Sequence, residues 1–168
     1  TGFPESLDLD ALDSADGFIL GNGDRDFSFT EVSGAGDLNG DGFEDLIVSG
    51  GKEKWVLEGQ ETFTVYYPFV YVIFGRDTGS GASVDLENLD SSEGFVIEGP
   101  VESLLGWSVD GAGDINGDGY DDLAIGGPFV DVDGVENGGV VQVIYGGPDI
   151  ASAYADLPLP AQASADDL

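Results

Sequence analysis

The nine residues Asp37-Leu38-Asn39-Gly40-Asp41-Gly42-Phe43-Glu44-Asp45 return 77 positions later as Asp114-Ile115-Asn116-Gly117-Asp118-Gly119-Tyr120-Asp121-Asp122. A fold for this chain must therefore contain two similar units carrying the same loop. Each copy places a carboxylate or amide oxygen at loop positions 1, 3, 5 and 9. Glycines at positions 4 and 6 allow sharp turns where a Cβ would clash. Such a set of hard oxygens is what calcium takes at roughly 2.3–2.6 Å. Two Ca2+ sites are expected. The first would use Asp37, Asn39, Asp41, the Phe43 carbonyl and Asp45. The second would use Asp114, Asn116, Asp118, the Tyr120 carbonyl and Asp122. The competing reading is an ordinary Asp/Asn/Gly turn without metal. Plain turns have no need of four oxygen ligands in register.

An EF-hand begins with a similar run, but it requires a bidentate Glu at position 12 and a helix on either side. Position 12 is Val48 in one copy and Ile125 in the other. After the loops come Leu46-Ile47-Val48-Ser49-Gly50 and Leu123-Ala124-Ile125-Gly126-Gly127. Short apolar runs closed by glycine read as strands. Before the loops, Phe27-Ser28-Phe29-Thr30-Glu31-Val32 and Leu105-Gly106-Trp107-Ser108-Val109 also read as extended. Each loop thus joins two strands.

The repeat is larger than the loop. Ser6-Leu7-Asp8-Leu9 matches Ser83-Val84-Asp85-Leu86, and Gly17-Phe18-Ile19-Leu20 matches Gly94-Phe95-Val96-Ile97. Val70-Tyr71-Val72-Ile73-Phe74-Gly75 matches Val141-Gln142-Val143-Ile144-Tyr145-Gly146, with a longer insert before it in the first copy, Lys52 to Pro68. Four strand-like pieces per copy at this spacing are the mark of a propeller blade. The predicted fold is all-β, built of four-stranded antiparallel sheets, with a helical turn at most over 11–16 and 86–92.

The segments Gly106-Trp107-Ser108-Val109, Gly111-Ala112-Gly113-Asp114, the loop itself, Asp122-Leu123-Ala124-Ile125-Gly126-Gly127-Pro128 and Val141-Gln142-Val143-Ile144-Tyr145-Gly146 resemble the FG-GAP repeat. That repeat builds the β-propeller of integrin α subunits and of many bacterial surface proteins. The resemblance covers nearly the whole chain. It departs from the family pattern at Asp26-Phe27-Ser28, at Trp107, and at Gly50-Gly51-Lys52, which lacks the Ala-Pro ending. It implies that the calcium ions are structural, folding the hairpin loops at the rim of the blades.

A family blade has strands A to D. Copy one supplies A near 27–35, B near 45–50, C near 69–75 and D near 95–98. Copy two supplies A near 106–112, B near 122–127 and C near 140–146. The expected organisation is an N-terminal segment 1–20, a blade over 21–99, a three-stranded second blade over 100–154 and a tail over 155–168. In this count Gly17, Phe18, Ile19 and Leu20 form a spare D strand, and the second blade lacks one. An unpaired edge is a template for another chain. The first expectation is therefore an extracellular structural protein that self-assembles by strand exchange into a homopolymer: a filament, tube or ring. Pairing of 17–20 within their own molecule would end that model. The alternative is part of an integrin-like propeller, an adhesion module that binds carbohydrate or protein.

Composition narrows the partners. Thirty-four acids against four bases give a net charge of -30. Nucleic-acid binding needs a basic footprint, and anionic membranes would repel such a chain. No segment reaches the ~18 apolar residues of a membrane span. There is no His and no Cys, which removes the commonest acid–base and thiol chemistry. A paired-carboxylate mechanism is no signal among so many acids, so no enzyme is expected. There is also no Met, even at position 1, and a processed or trimmed chain, such as one that has lost a signal peptide, would account for this. An extracellular or cell-surface location is expected. Asp131 to Asn137 reads as an acidic hairpin turn rather than a further ion site, and Asp24 and Asp26 are a weaker case of the same kind. The alternating aromatic run Thr62 to Phe69 is a long hairpin strand suited to an interface, a sugar platform or packing on its own blade. The tail Leu157-Pro158-Leu159-Pro160 reads as a polyproline-like linker.

Overall fold

A computed structural model describes residues 17–21, 27–58, 61–77 and 83–154. The expectations placed on 1–16, on Asp24 and Asp26, and on the tail 155–168 lie outside these residues.

The β-branched and aromatic runs form a four-stranded antiparallel sheet, in the order β2 (Phe27–Gly36), β3 (Asp45–Glu58), β4 (Glu61–Ile73), β6 (Gly94–Glu98). A second, three-stranded antiparallel sheet follows with β7 (Ser108–Gly113), β8 (Asp122–Gly127) and β9 (Val140–Ile144). In both sheets the nine-residue loop closes the turn between the first two strands. The strands before the loops carry a register shift at Gly34/Gly36 and at Gly111/Gly113. Such bulges re-aim the chain as it enters a turn.

The period-two alternation of β4 sends its side chains to opposite faces. Val70 and Val72 enter a core shared with the second sheet, where Ala35, Leu38 and Ile47 meet Val109, Leu123, Ile125 and Ile144. Tyr71 and Ile73 face the other way, into a smaller cluster with Val84 and Leu86. Both faces of the first sheet are thus covered. Among the described residues the second sheet is covered on one face only: Val141, Val143 and Tyr145 stand exposed on the other. A short helix, α1 (Ile150–Tyr154), buries Ile150 and Ala151 and stacks Tyr154 on Phe95 at 5.8 Å. Over 86–92 the expected turn is a 3-10 turn, Leu86–Asn88, capped by Asp85, whose carboxylate accepts from Glu87 N at 3.0 Å. Asp131 to Asn137 forms the acidic turn: Val132 bridges Val135, and Asp131 accepts from Asn137 N at 2.7 Å.

One expectation is corrected. The spare strand is not left for a neighbour. β1 (Ile19–Gly21) pairs in parallel with β5 (Ser83–Asp85) of the same chain, in register Ile19 with Ser83 and Leu20 with Val84. The reason is burial: Leu20 packs against the cluster of Tyr71, Ile73, Val84 and Leu86 on the outer face of the first sheet. The Arg76 guanidinium lies over the Phe18 ring at 5.3 Å. Donor-strand assembly through Gly17 to Leu20 therefore loses its basis.

Strands β3 and β4 run on past their neighbours as a two-stranded ribbon, paired from Glu53 with Tyr66 to Leu57 with Thr62. Its base is pinned by Glu102, which accepts from Tyr66 N at 2.7 Å and donates its own N–H to Tyr66 O at 3.0 Å. Lys54 Nζ sits 4.7 Å from the Tyr67 ring centroid. Farther out Trp55, Leu57 and Phe63 are exposed. Replacing Trp55 by Ala is expected to change unfolding free energy by less than about 0.5 kcal/mol, because that ring packs on little; a urea titration checks it.

Candidate metal centre

In the first loop the carboxylate of Asp37 gathers the backbone around itself. Its Oδ1 accepts from Gly40 N at 2.8 Å and Asp41 N at 3.0 Å, and its Oδ2 from Gly42 N at 3.0 Å. Asn39 Oδ1 accepts from Asp41 N at 2.9 Å, Asp41 Oδ1 accepts from Phe43 N at 2.9 Å, and Asn39 Nδ2 donates to Asp41 Oδ2 at 3.0 Å. Gly40 and Gly42 adopt φ of +77° and +92°, the left-handed region where a side chain would be strained.

The second loop repeats this bond for bond. Asp114 accepts from Gly117 N, Asp118 N and Gly119 N at 2.7, 3.1 and 2.9 Å. Asn116 accepts from Asp118 N at 2.9 Å, Asp118 from Tyr120 N at 3.0 Å, and Asn116 Nδ2 donates to Asp118 Oδ2 at 2.8 Å. Gly117 and Gly119 have φ of +79° and +96°.

The ninth residue of each loop stands at the start of the next strand and is buried. Asp45 accepts from Leu38 N at 2.9 Å and from Gly75 N at 2.8 Å; Asp122 accepts from Ile115 N and from Gly146 N, both at 2.9 Å. Each thereby ties its loop to the residue just beyond the third strand. Burial pushes the Asp45 carboxyl up to about 6, against the pull of the two N–H donors. Sequence reasoning found the repeated Gly75 and Gly146 but not this use of them.

The structure thus brings Asp37, Asn39 and Asp41 together in one loop and Asp114, Asn116 and Asp118 in the other. Asp45 and Asp122 also accept from backbone N–H groups, and Asp45 stands near enough to Asp41 and Asp37 for their charges to raise its carboxyl further. Among the described residues no three acidic side chains gather into a metal-holding group. The donor set still fits a hard cation: every candidate ligand is an oxygen, and each carboxylate oxygen can accept more bonds than it receives here. Each loop also concentrates four carboxylates and no base, counting Glu44 in the first and Asp121 in the second.

The two loops touch. Asp121 Oδ2 accepts from Asp37 N at 2.9 Å, and Asp121 N donates to Asp37 O at 3.2 Å. The Tyr120 ring lies over Gly40 and leaves no room for a Cβ there. Gly147 N donates to Leu38 O at 2.7 Å. Nothing in the sequence distinguishes Asp121 from its acidic neighbours, and only the packing of the sheets gives it this role.

The FG-GAP repeat model matches residues 105–144, which include β7, the second loop, β8 and β9. Mouse integrin alpha-3 is 33% identical over 93 residues, 55% of this chain and 8% of that protein. Integrin alpha ina-1 of Caenorhabditis elegans is 30% identical over 98 residues, 56% of this chain and 8% of that protein. Bovine phosphatidylinositol-glycan-specific phospholipase D is 33% identical over 123 residues, 71% of this chain and 14% of that protein. The chain spans a small part of the length of each of these relatives. The matched repeat, the second copy of its loop 77 residues earlier and the all-β strand order agree: residues 105–144 of this chain are an FG-GAP repeat.

Proposed function

We propose that this chain is a calcium-stabilised pair of blades, over 21–99 and 100–154, of an integrin-like β-propeller at the cell surface or outside the cell. Its role is adhesion through a protein or carbohydrate ligand, not catalysis. The observation that carries the reading is the bond-for-bond identity of the two loops, an arrangement that puts oxygen ligands and no other donor type in the same places twice. Asp37, Asn39, Asp41 and Asp45 would hold one ion and Asp114, Asn116, Asp118 and Asp122 the other, with the carbonyls of Phe43 and Tyr120. A bound calcium supplies the positive charge that the clustered carboxylates of each loop otherwise lack.

The propeller reading draws support from the uncovered face of the second sheet, which offers Val141, Val143 and Tyr145 where their counterparts in the first sheet, Val70, Val72 and Phe74, are buried against the second sheet. The β3–β4 ribbon leaves the first sheet at the end opposite its calcium loop and presents exposed aromatic side chains. That makes it the part of this chain best suited to a ligand. The name of the phospholipase relatives describes those proteins, whose overlap with this chain is 12–14% of their length.

Calorimetric titration of the chelator-stripped chain tests the metal reading. Two calcium ions are expected per chain, and one in each of the single variants Asp41→Ala and Asp118→Ala. Binding of none by the unmodified chain would overturn it.

A further inference from the structure

We propose that the two loops form one coupled unit, in which Asp121 of the second loop is a positioning residue for the first. This rests on the calcium reading above and adds a direction to it. Asp121 stands between Tyr120 and Asp122, two of the residues assigned to the second ion, but its side chain leaves that loop. It clamps the peptide of Asp37, the opening ligand of the first ion, from both sides: Oδ2 takes the Asp37 N–H at 2.9 Å and the Asp121 N–H reaches Asp37 O at 3.2 Å. Two further contacts run in parallel. The ring of Tyr120 covers Gly40. Asp122 Oδ1 accepts from Gly146 N at 2.9 Å, and the next residue, Gly147, donates to Leu38 O at 2.7 Å.

The fit depends on two glycines. Gly36 and Gly40 have φ of +74° and +77°, and a Cβ at either would meet Asp121 or Tyr120 well inside contact distance. Their counterparts Gly113 and Gly117 have φ of +65° and +79° but nothing within 4 Å of an added Cβ. The first loop is therefore buttressed by the second, and among the described residues no such buttress stands on the second. Ordering Tyr120, Asp121 and Asp122 around an ion fixes the peptide that opens the first site, so the second ion raises affinity for the first. Thermodynamic linkage requires the converse by the same factor, and couplings of this kind typically amount to fivefold or more.

The test follows the amide resonances of Gly42 and Gly119 separately as calcium is added to the full chain. In Asp121→Ala the Gly42 curve is expected to move to about fivefold or more higher calcium, and the Gly119 curve, by linkage, to move in the same direction by no more than that factor. Asp121→Asn keeps a side-chain oxygen for the Asp37 N–H and is expected to restore most of the Gly42 response. In Asp118→Ala, with the second site disabled, the Gly42 curve should weaken as in Asp121→Ala. An unmoved Gly42 curve in Asp121→Ala, or an Asn variant as weak as the Ala variant, would overturn the proposal. The last result would assign the effect to lost charge. If neither resonance responds to calcium in the unmodified chain, the calcium reading itself fails, and it does so before any variant is compared.

Discussion

Chelating calcium is expected to lower the melting temperature of this chain by about 10 °C or more. Binding to the folded state alone stabilises it by roughly 2.7 kcal/mol per site when free calcium is a hundred times the dissociation constant. Two sites give about 5 kcal/mol, and a chain of this length shifts by roughly 2–4 °C per kcal/mol. The physical source is the loop chemistry. Asp37 and Asp114 already organise three backbone N–H groups each, so the loops are shaped before an ion arrives. What they lack is a counter-charge for their carboxylates. The double variant Asp41→Ala/Asp118→Ala should melt at the same temperature with calcium and with chelator. If the unmodified chain also melts identically in both, the ions have no structural role here.

The parts legible in the sequence were those set by short-range chemistry. The Asp-x-Asn-Gly-Asp-Gly order forces a turn with inward carboxylates, and the apolar runs after Asp45 and Asp122 can only be strands. The parts that were not legible depend on distant packing. Thr62 to Phe69 reads as a long hairpin strand and is part of β4, but its partner, the extension of β3 over Lys52 to Leu57, reads only as an insert, because strand pairing propagates outward from the turn without needing a sheet on either side. Gly17 to Leu20 matches the D strand Gly94 to Ile97 in sequence but pairs in parallel with Ser83–Asp85. Its partner is chosen by where Leu20 can be buried, and residue pattern does not encode that. The helix at Ile150–Tyr154 is too short to show a helical period and is held by Tyr154 on Phe95 and by the burial of Ile150. Asp121 was one acid among thirty-four until the second sheet set it against Asp37.

Replacing Leu38 by Ala is expected to cost about 2–5 kcal/mol, whereas Ile115→Ala should stay within about 0.5 kcal/mol. The two residues hold the same position in the two loops, flanked by the same ligands. Leu38 is 0% exposed, and Ile115 is 54% exposed. The difference lies in what the second sheet brings. Leu38 joins the core shared by both sheets, with Leu123, Ile125 and Ile144 of the second among its members. Truncation to Ala leaves the backbone bonds of residue 38 to Asp45 and Gly147 in place and opens a cavity beneath them. Urea denaturation of both variants, in calcium and in chelator, reads the two costs directly. A deficit for Leu38→Ala that persists in chelator belongs to packing, since no ion is then present to be lost. Equal and small costs at both positions would mean that the sheets do not pack as described, and the contact between the two calcium loops would go with them.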